Sequence, residues 1–426
     1  MTAIPERRKR RTIVGAVTGF VLVSVAAGLF VVGAITLSNS QEGEAVGVDE
    51  RPVVALPDTP NAMLAVTDNE GQLASVVIMT LLPEGQGGSI VTVPVNADGT
   101  VGFGEQRRPL TELFDADDPE SIVEPLEEML TITIERSAVV GVDELVEILD
   151  PIESLQVVLP EDVVDSSQLG SGIVALAGPQ TLRRLLVAQA LAAVNDEGAS
   201  YDHHAVDVEL WTQLARTAPI KVPAEPVDVD EFGRPIPPDT VEELVMRLWE
   251  GDIEVRDIAV TEPLESANPT GADVVLVDRA DAVLVFAQIS PALVSTPNPA
   301  MSFRIEARYS DEQLEATGDL FESSSELVRE MTRELLFFQA NVISIDTAAA
   351  ADGAPEVTRI EVSDKRFIED MELAGSIFFG ESVVVVSSTV LDGVDAVVIL
   401  GTGYLDLREL NDEGAVVVQD TVETDD

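Results

Sequence analysis

The longest apolar stretch in the chain runs from Ile13 to Leu37 without one Asp, Glu, Lys or Arg, directly behind Arg7-Arg8-Lys9-Arg10-Arg11. As a helix such a run is about 37 Å long, enough to cross a roughly 30 Å hydrocarbon core with some tilt. It exceeds the usual signal-peptide core, and Ala34 and Ser38 make no clean cleavage site, so the pattern predicts a retained single-pass anchor over 13–37. The basic cluster stands on one side only, which puts residues 1–12 in the cytoplasm and the bulk of the chain outside, on a cell membrane.

Beyond a polar, proline-punctuated tether over 38–58, the pattern switches to short apolar runs: Ala62 to Thr67, Ser75 to Leu82 and Ser89 to Val95. Turn residues Asp68-Asn69-Glu70-Gly71 and Glu84 to Gly88 separate them, so a β-meander is predicted. Helical spacing follows at Ile122, Val123, Leu126, Met129 and Leu130, and again at Val142, Leu145, Val146 and Leu149. A short strand over Thr131 to Ile134 is predicted between them, and Gln156 to Leu159 before Pro160 reads as another. Gly178 to Val194 and Tyr201 to Ala215 are predicted helices. Val241, Leu244, Val245 and Leu248 mark a further helical face, followed by a short apolar run Val274 to Val277 and a helix Ala280 to Ile289. A linker at Ser295-Thr296-Pro297-Asn298-Pro299 then divides a first domain, 59–294, from a second, 300–408. The second alternates strands (Phe303–Arg308, Val342–Ile345, Arg359–Val362, Val383–Val386, Ala396–Leu400) with helices near Asp319–Gln339 and Lys365–Phe378, which predicts an α/β or α+β fold. The acidic segment 409–426 is expected to hang free.

Charge adds one constraint. The formal net charge is −52, from 77 acidic and 25 basic residues. Dense, scattered carboxylates are what a protein in concentrated salt would carry, because screening removes their mutual repulsion. Binding of metal cations or of a basic partner is the functional alternative. Nucleic acid is excluded as a partner. The chain has no cysteine, hence no disulfide, thiolate metal site or cysteine nucleophile. The adjacent histidines His203 and His204 point apart in any regular structure, so they do not ligate one metal together. With no Gly-x-Ser-x-Gly elbow either, serine hydrolysis is excluded.

The last apolar motif, Leu391-Asp392-Gly393-Val394-Asp395-Ala396-Val397-Val398-Ile399-Leu400-Gly401 followed by Gly403-Tyr404, resembles the LytR C-terminal domain. Together with the basic tail, the anchor and a first domain of about this size, it makes the chain similar to the LytR-CpsA-Psr (LCP) family. In the first domain the likeness rests on three stretches. Gly141 to Asp150 resembles a family helix, and Val157-Val158-Leu159-Pro160-Glu161 the strand after it. Ala177-Gly178-Pro179-Gln180-Thr181-Leu182 looks like a helix start. The resemblance implies an LCP-like mixed sheet with flanking helices. It also implies attachment of polyprenyl-pyrophosphate-linked glycopolymers to peptidoglycan or another envelope acceptor, with magnesium as cofactor.

Such chemistry needs arginines to grip two phosphates and a carboxylate for the metal or the acceptor's proton. Where the family reads Ile-Pro-Arg-Asp, this chain reads Val93-Pro94-Val95-Asn96. The other family arginines fall on Leu186, Ala188 and Ala205. Candidate replacements are Arg107, Arg108, Arg183 and Arg184. Asp115, Asp117 and Asp118 form the candidate cation cluster, read equally as a solvated loop before a helix N-terminus. Gly85, Gly87 and Gly88 read as a hairpin turn. Trp211, Trp249 and the pair Phe337-Phe338 read as core.

Three functions stay open: a pseudoenzyme that supports or regulates attachment of lipid-linked glycopolymers, an active phosphotransferase using displaced arginines, and a non-catalytic module contacting peptidoglycan or another envelope protein. The charge reading is tested by chemical unfolding in rising sodium chloride: the midpoint should climb up to molar salt, and a flat response would remove the halophilic explanation.

Overall fold

A computed structural model describes residues 51–101, 106–118, 120–167, 172–194, 204–222, 224–261, 268, 274–291, 301–316, 321, 323–350 and 353–408. The chain forms two compact units, Met1–Pro52 and Val53–Asp426. The expected cytoplasmic tail and membrane span fall in the first, outside the described residues. Among the described residues, no helix is long and apolar enough to cross a membrane.

The second unit opens with β1 (Val53–Val54), β2 (Asn61–Thr67), β3 (Leu73–Leu81) and β4 (Gly88–Val93). Short α1 (Leu110–Leu113), α2 (Val123–Leu130), β5 (Ser137–Val140), α3 (Val142–Ile148), β6 (Ser154–Leu159), β7 (Val163–Asp165), β8 (Gly172–Ala175) and β9 (Gly178–Arg183) follow. Then come α4 (Arg184–Leu191), α5 (His204–Lys221), α6 (Val241–Trp249), β10 (Ile253–Asp257) and α7 (Arg279–Ile289). The meander β2-β3-β4 is antiparallel, as its alternation and turns require, and sits inside a sheet of order β10-β4-β3-β2-β5 whose outer strands pair parallel. Every residue of β2, β3 and β4 is buried, because helices cover both faces. Ala62, Leu64 and Val66 face a core shared with α3, α4, α5 and α6, in which Trp211 and Trp249 are fully buried. Met63 and Ala65 face a second core with α1, α2 and α7.

Several elements differ from the sequence pattern. Gly178 to Val194 is not one helix: the half up to Arg183 is extended and pairs antiparallel with β6, since Gly178 holds φ +91° and Pro179 cannot donate in a helix. The strand expected over Thr131 to Ile134 forms six residues later, as β5, because Thr131 takes a left-handed C-cap at φ 57°. Edge strand β10 was not legible, its five residues alternating apolar with charged side chains. It lies beside β4 because Gly87 and Gly251 pack backbone against backbone: a Cβ on Gly251 would stand 2.6 Å from the Gly87 nitrogen. The Gly85 to Gly88 stretch is the expected hairpin turn, and a Cβ on Gly88 would lie 1.9 Å from the Thr80 carbonyl oxygen.

The second domain comprises β11 (Ser302–Glu306), α8 (Asp311–Glu315), α9 (Ser324–Phe337), β12 (Asn341–Asp346), β13 (Thr358–Val362), α10 (Ile368–Phe378), β14 (Ser382–Val386), β15 (Val390–Leu391) and β16 (Ala396–Ile399). Its sheet has the order β12-β11-β16-β13-β14, with only β13 and β16 antiparallel. The tether expected over 38–58 is paired at its far end: β1 runs parallel to β15, tying the start of the first domain to the second.

Helix α7 belongs to both domains. Ala282, Val285 and Phe286 sit in the first domain's core, while Val283, Leu284 and Ala287 pack into the second's against Phe303, Leu327, Val328 and Met331. Its N-terminal acids are answered from α9, Asp281 by Arg329 at 2.8 Å and Asp278 by Arg333 at 2.9 Å. A shared helix makes the domains unfold together. Phe286→Ala should cost roughly 3–5 kcal/mol and Leu284→Ala roughly 2–5 kcal/mol, each read by urea unfolding with tryptophan fluorescence and far-UV dichroism. Separate transitions, with only one moved by each substitution, would break the shared-core reading.

Candidate functional site

Of the positions that the resemblance aligns with family arginines, Val95, Leu186 and Ala188 fold into packing and Ala205 does not. Val95 is half-buried against the α1 and α2 side of the sheet, and its carbonyl accepts from the Thr111 amide at 3.1 Å. Asn96 is 8 % exposed, its backbone carbonyl accepts from the Val275 amide at 3.1 Å, and its side-chain Oδ1 has no partner. Leu186 and Ala188 pack into the core on the other face. Ala205 is exposed on the first turn of α5. Beside it the His204 Nε2 lies 2.6 Å from the Asp257 Oδ1 at the end of β10; His203 falls outside the described residues.

The four candidate arginines do not converge. Arg107 and Arg108 precede α1, whose Leu110 lies in one core, whereas Arg183 and Arg184 open α4, whose Val187 and Ala188 lie in the other. The central sheet stands between the two helices. Three are also held by carboxylates: Arg107 by Asp98 at 2.8 Å, Arg108 by Glu112 at 3.6 Å, and Arg184 by Asp150. Arg183 is exposed at the N-cap of α4.

Two surface grooves flank the first domain, and none of these four arginines lines either. The larger, about 640 Å³, is walled by Glu120, Glu124, Glu127, Glu135, Asp239 and Glu242, with Arg136 bound to Glu135 at 2.7 Å. Its field repels phosphate. The other, about 570 Å³, has proline and aliphatic walls, and its Arg234 and Arg247 pair with Asp230 and Glu243.

The acidic cluster at 115–118 is a turn. Asp115 Oδ1 accepts the Asp117 amide at 3.0 Å, the Asp115 amide donates to Ser121 Oγ at 2.9 Å, and Asp115 and Asp118 form an isolated bridge. All three carboxylates are exposed. Among the described residues, no three acidic or histidine side chains converge on one point.

Sequence reasoning missed one buried acid by taking Asp68 for a turn residue only. Asp68 directly follows β2, 5 % exposed, and its Oδ1 accepts the Glu70 and Gln72 amides at 2.8 Å each. Its Oδ2 is buried without a partner. Burial, with the charges of Glu70 and of the buried Asp165, holds its carboxyl above the usual carboxylate range. The signal available in the sequence was an acid directly after an apolar strand, where side chains gather at the sheet's end.

The second-domain motif has clear structural work. A Cβ on Gly401 would lie 2.5 Å from the Val357 carbonyl carbon, and the Gly401 oxygen accepts from the buried Tyr309 hydroxyl at 2.9 Å. Tyr404 is fully buried and accepts from Arg408 Nε at 2.8 Å. Phe337 and Phe338, expected in the core, are instead 82 % and 55 % exposed, because α9 ends there and the inward stripe is completed by Met331 and Leu335. Their rings meet edge to face, and Phe338 meets Phe378 in the same way.

No family model matches the chain, and no curated protein does. Among solved structures, TagV from B. subtilis is similar at 13 % identity and a TM-score of 0.37, over 53 % of this chain and 94 % of that one. TagT, solved bound to LI-WTA, is similar at 12 % identity and a TM-score of 0.37, over 54 % and 88 %. A transcriptional regulator from Enterococcus faecalis matches at 13 % identity and a TM-score of 0.36, over 53 % and 84 %. The chain is similar to each of them across about half its own length.

The buried carboxyl gives a signed prediction. Because folding raises the Asp68 pKa above the ordinary carboxylate value, wild-type stability falls as pH climbs from that ordinary value to the folded one, and the loss persists above it. Asp68→Asn removes this titration. In denaturant titrations its stability relative to wild type should be higher at about pH 7 than at about pH 3. An offset equal at both pH values would refute the buried-acid account.

Proposed function

We propose that this is a membrane-anchored, outward-facing envelope protein of LytR-CpsA-Psr type that has given up phosphotransfer, and supports or regulates attachment of lipid-linked glycopolymers. One observation carries the non-catalytic part: the residues available to replace the missing arginines stand on opposite faces of the central sheet. A pyrophosphate grip needs two or more guanidinium groups within one phosphate's reach, and three of these are already neutralised. The anchor over 13–37 would keep the first domain near the lipid surface, where a polyprenyl-linked substrate resides.

A second reading, a non-catalytic assembly module, draws on the exposed Phe337 and Phe338 rings of the second domain, backed by the half-buried Phe378, since contiguous exposed aromatics mark contact surfaces. The two share the absence of turnover and differ in whether the lipid-linked substrate binds at all.

The test uses the full chain in detergent micelles with a polyprenyl-pyrophosphate glycan analogue, magnesium and an acceptor glycan. No phosphate release is expected, and binding should be seen by fluorescence titration of the analogue. Turnover that Arg184→Ala or Arg107→Ala abolishes would sink the proposal in favour of a working transferase. Absence of both turnover and binding would leave the assembly reading in its place.

A further inference from the structure

The excursion between α5 and α6 ends in a tight hairpin whose apolar residues belong to neither core of the first domain. At its tip Phe232 is 73 % exposed, with the Arg234 guanidinium 5.3 Å from the ring centroid, and the flanking Val229 and Ile236 are exposed as well. Its backbone donors are nevertheless used up internally. Asp230 Oδ1 accepts the Phe232 and Arg234 amides at 2.8 and 2.9 Å. The Gly233 amide donates to the Asp230 carbonyl at 3.0 Å, and the Ile236 amide to the Asp228 carbonyl at 2.9 Å. Pro235, Pro237 and Pro238 have no amide to satisfy. Apolar side chains turned outward over a backbone with its donors satisfied are what an apolar boundary demands, since a free N–H is costly there.

This hairpin is seated at the end of the first domain where the chain arrives. A Cβ on Gly85, in the β3–β4 turn, would stand 2.9 Å from the Pro235 Cβ, and Gln86 beside it donates to the Glu225 carbonyl. The groove of about 570 Å³ is lined by the hairpin together with Leu56, Pro57 and Pro60, the stretch that leads into β2. Only 15 residues, 38–52, separate the apolar run ending at Leu37 from β1, about 50 Å at full extension.

From these features we infer that the 228–238 hairpin is a lipid-contact element, in which Phe232, Val229 and Ile236 enter the boundary between headgroups and acyl chains. The inference rests on the anchor proposed above, which would supply the bilayer. Charge selects the lipid class: Asp228 and Glu231 beside the tip repel an anionic surface and suit the outward ammonium of a zwitterionic phospholipid. Little intrinsic affinity is needed, because a tether supplies a high effective concentration of lipid.

The chain has no cysteine, so a single label can be placed at a chosen site. Full-length chain carrying Glu231→Cys, labelled with nitrobenzoxadiazole, is reconstituted in phosphatidylcholine vesicles whose acyl chains bear a nitroxide quencher near the headgroup. The control label sits at Asp117→Cys, in the exposed turn that abuts Gly71 at the other end of β3. The label at 231 should lose about half its emission to the quencher and the label at 117 almost none, and adding Phe232→Ser should bring the two to the same brightness. A chain that floats with the vesicles while both labels stay equally bright would overturn the inference and leave the anchor standing. A chain that does not float with them would overturn both. Quenching at 231 that Phe232→Ser leaves unchanged would also overturn the inference, because the apolar tip would then not be what enters the lipid.

Discussion

Helix α7 has no polar face to offer water. Between Arg279 and Ile289 its residues from Ala280 to Ala287 are all buried, and the only way to bury a helix on every side is to place protein around it. The first domain supplies one wall and the second the other. Everything else about the assembly follows from this: β1 can cross to β15, and α9 must lie alongside to complete the seat. A cut at the proline-rich linker would separate chain segments but would expose half of a core.

The polar ends of that seat are as constrained as its apolar middle. Asp278 caps the helix, accepting the Ala280 and Asp281 amides at 2.9 and 3.3 Å, and also meets Arg333. Burial works to raise its pKa, yet Arg333 and the capped amides prevail and hold the carboxyl below its usual value. Asp281, 4 % exposed, is satisfied by Arg329 and by the Ala259 amide at 2.7 Å. Arginines answer the buried or half-buried acids at this seat, and others near the family-like positions are bound to Asp98, Glu112 and Asp150.

Parts of the candidate site were legible and parts were not. That Val95, Leu186 and Ala188 cannot grip a phosphate follows from their side chains alone, and their burial agrees. That Arg107 and Arg184 cannot cooperate was invisible, because the sequence does not say on which face of the sheet α1 and α4 pack. Asp68 was hidden for a related reason: a turn aspartate becomes a buried acid with an orphaned oxygen only once the fold packs over it. The phenylalanine pair misled because helical spacing marks a stripe but not where the helix outruns the core it covers.

By itself, the sequence determined what depends on local order. The β2-β3-β4 meander, the hairpin at Gly85 to Gly88, the tryptophans in the core and the Gly401 to Tyr404 motif are written in alternation, turn residues and side-chain size. Only the tertiary structure decided the rest: the strand at Gly178 to Arg183, the edge strand β10, the double burial of α7 and the separation of the arginines. These depend on pairings between residues far apart in the chain, and periodicity reports which face of an element is apolar without naming the surface it meets.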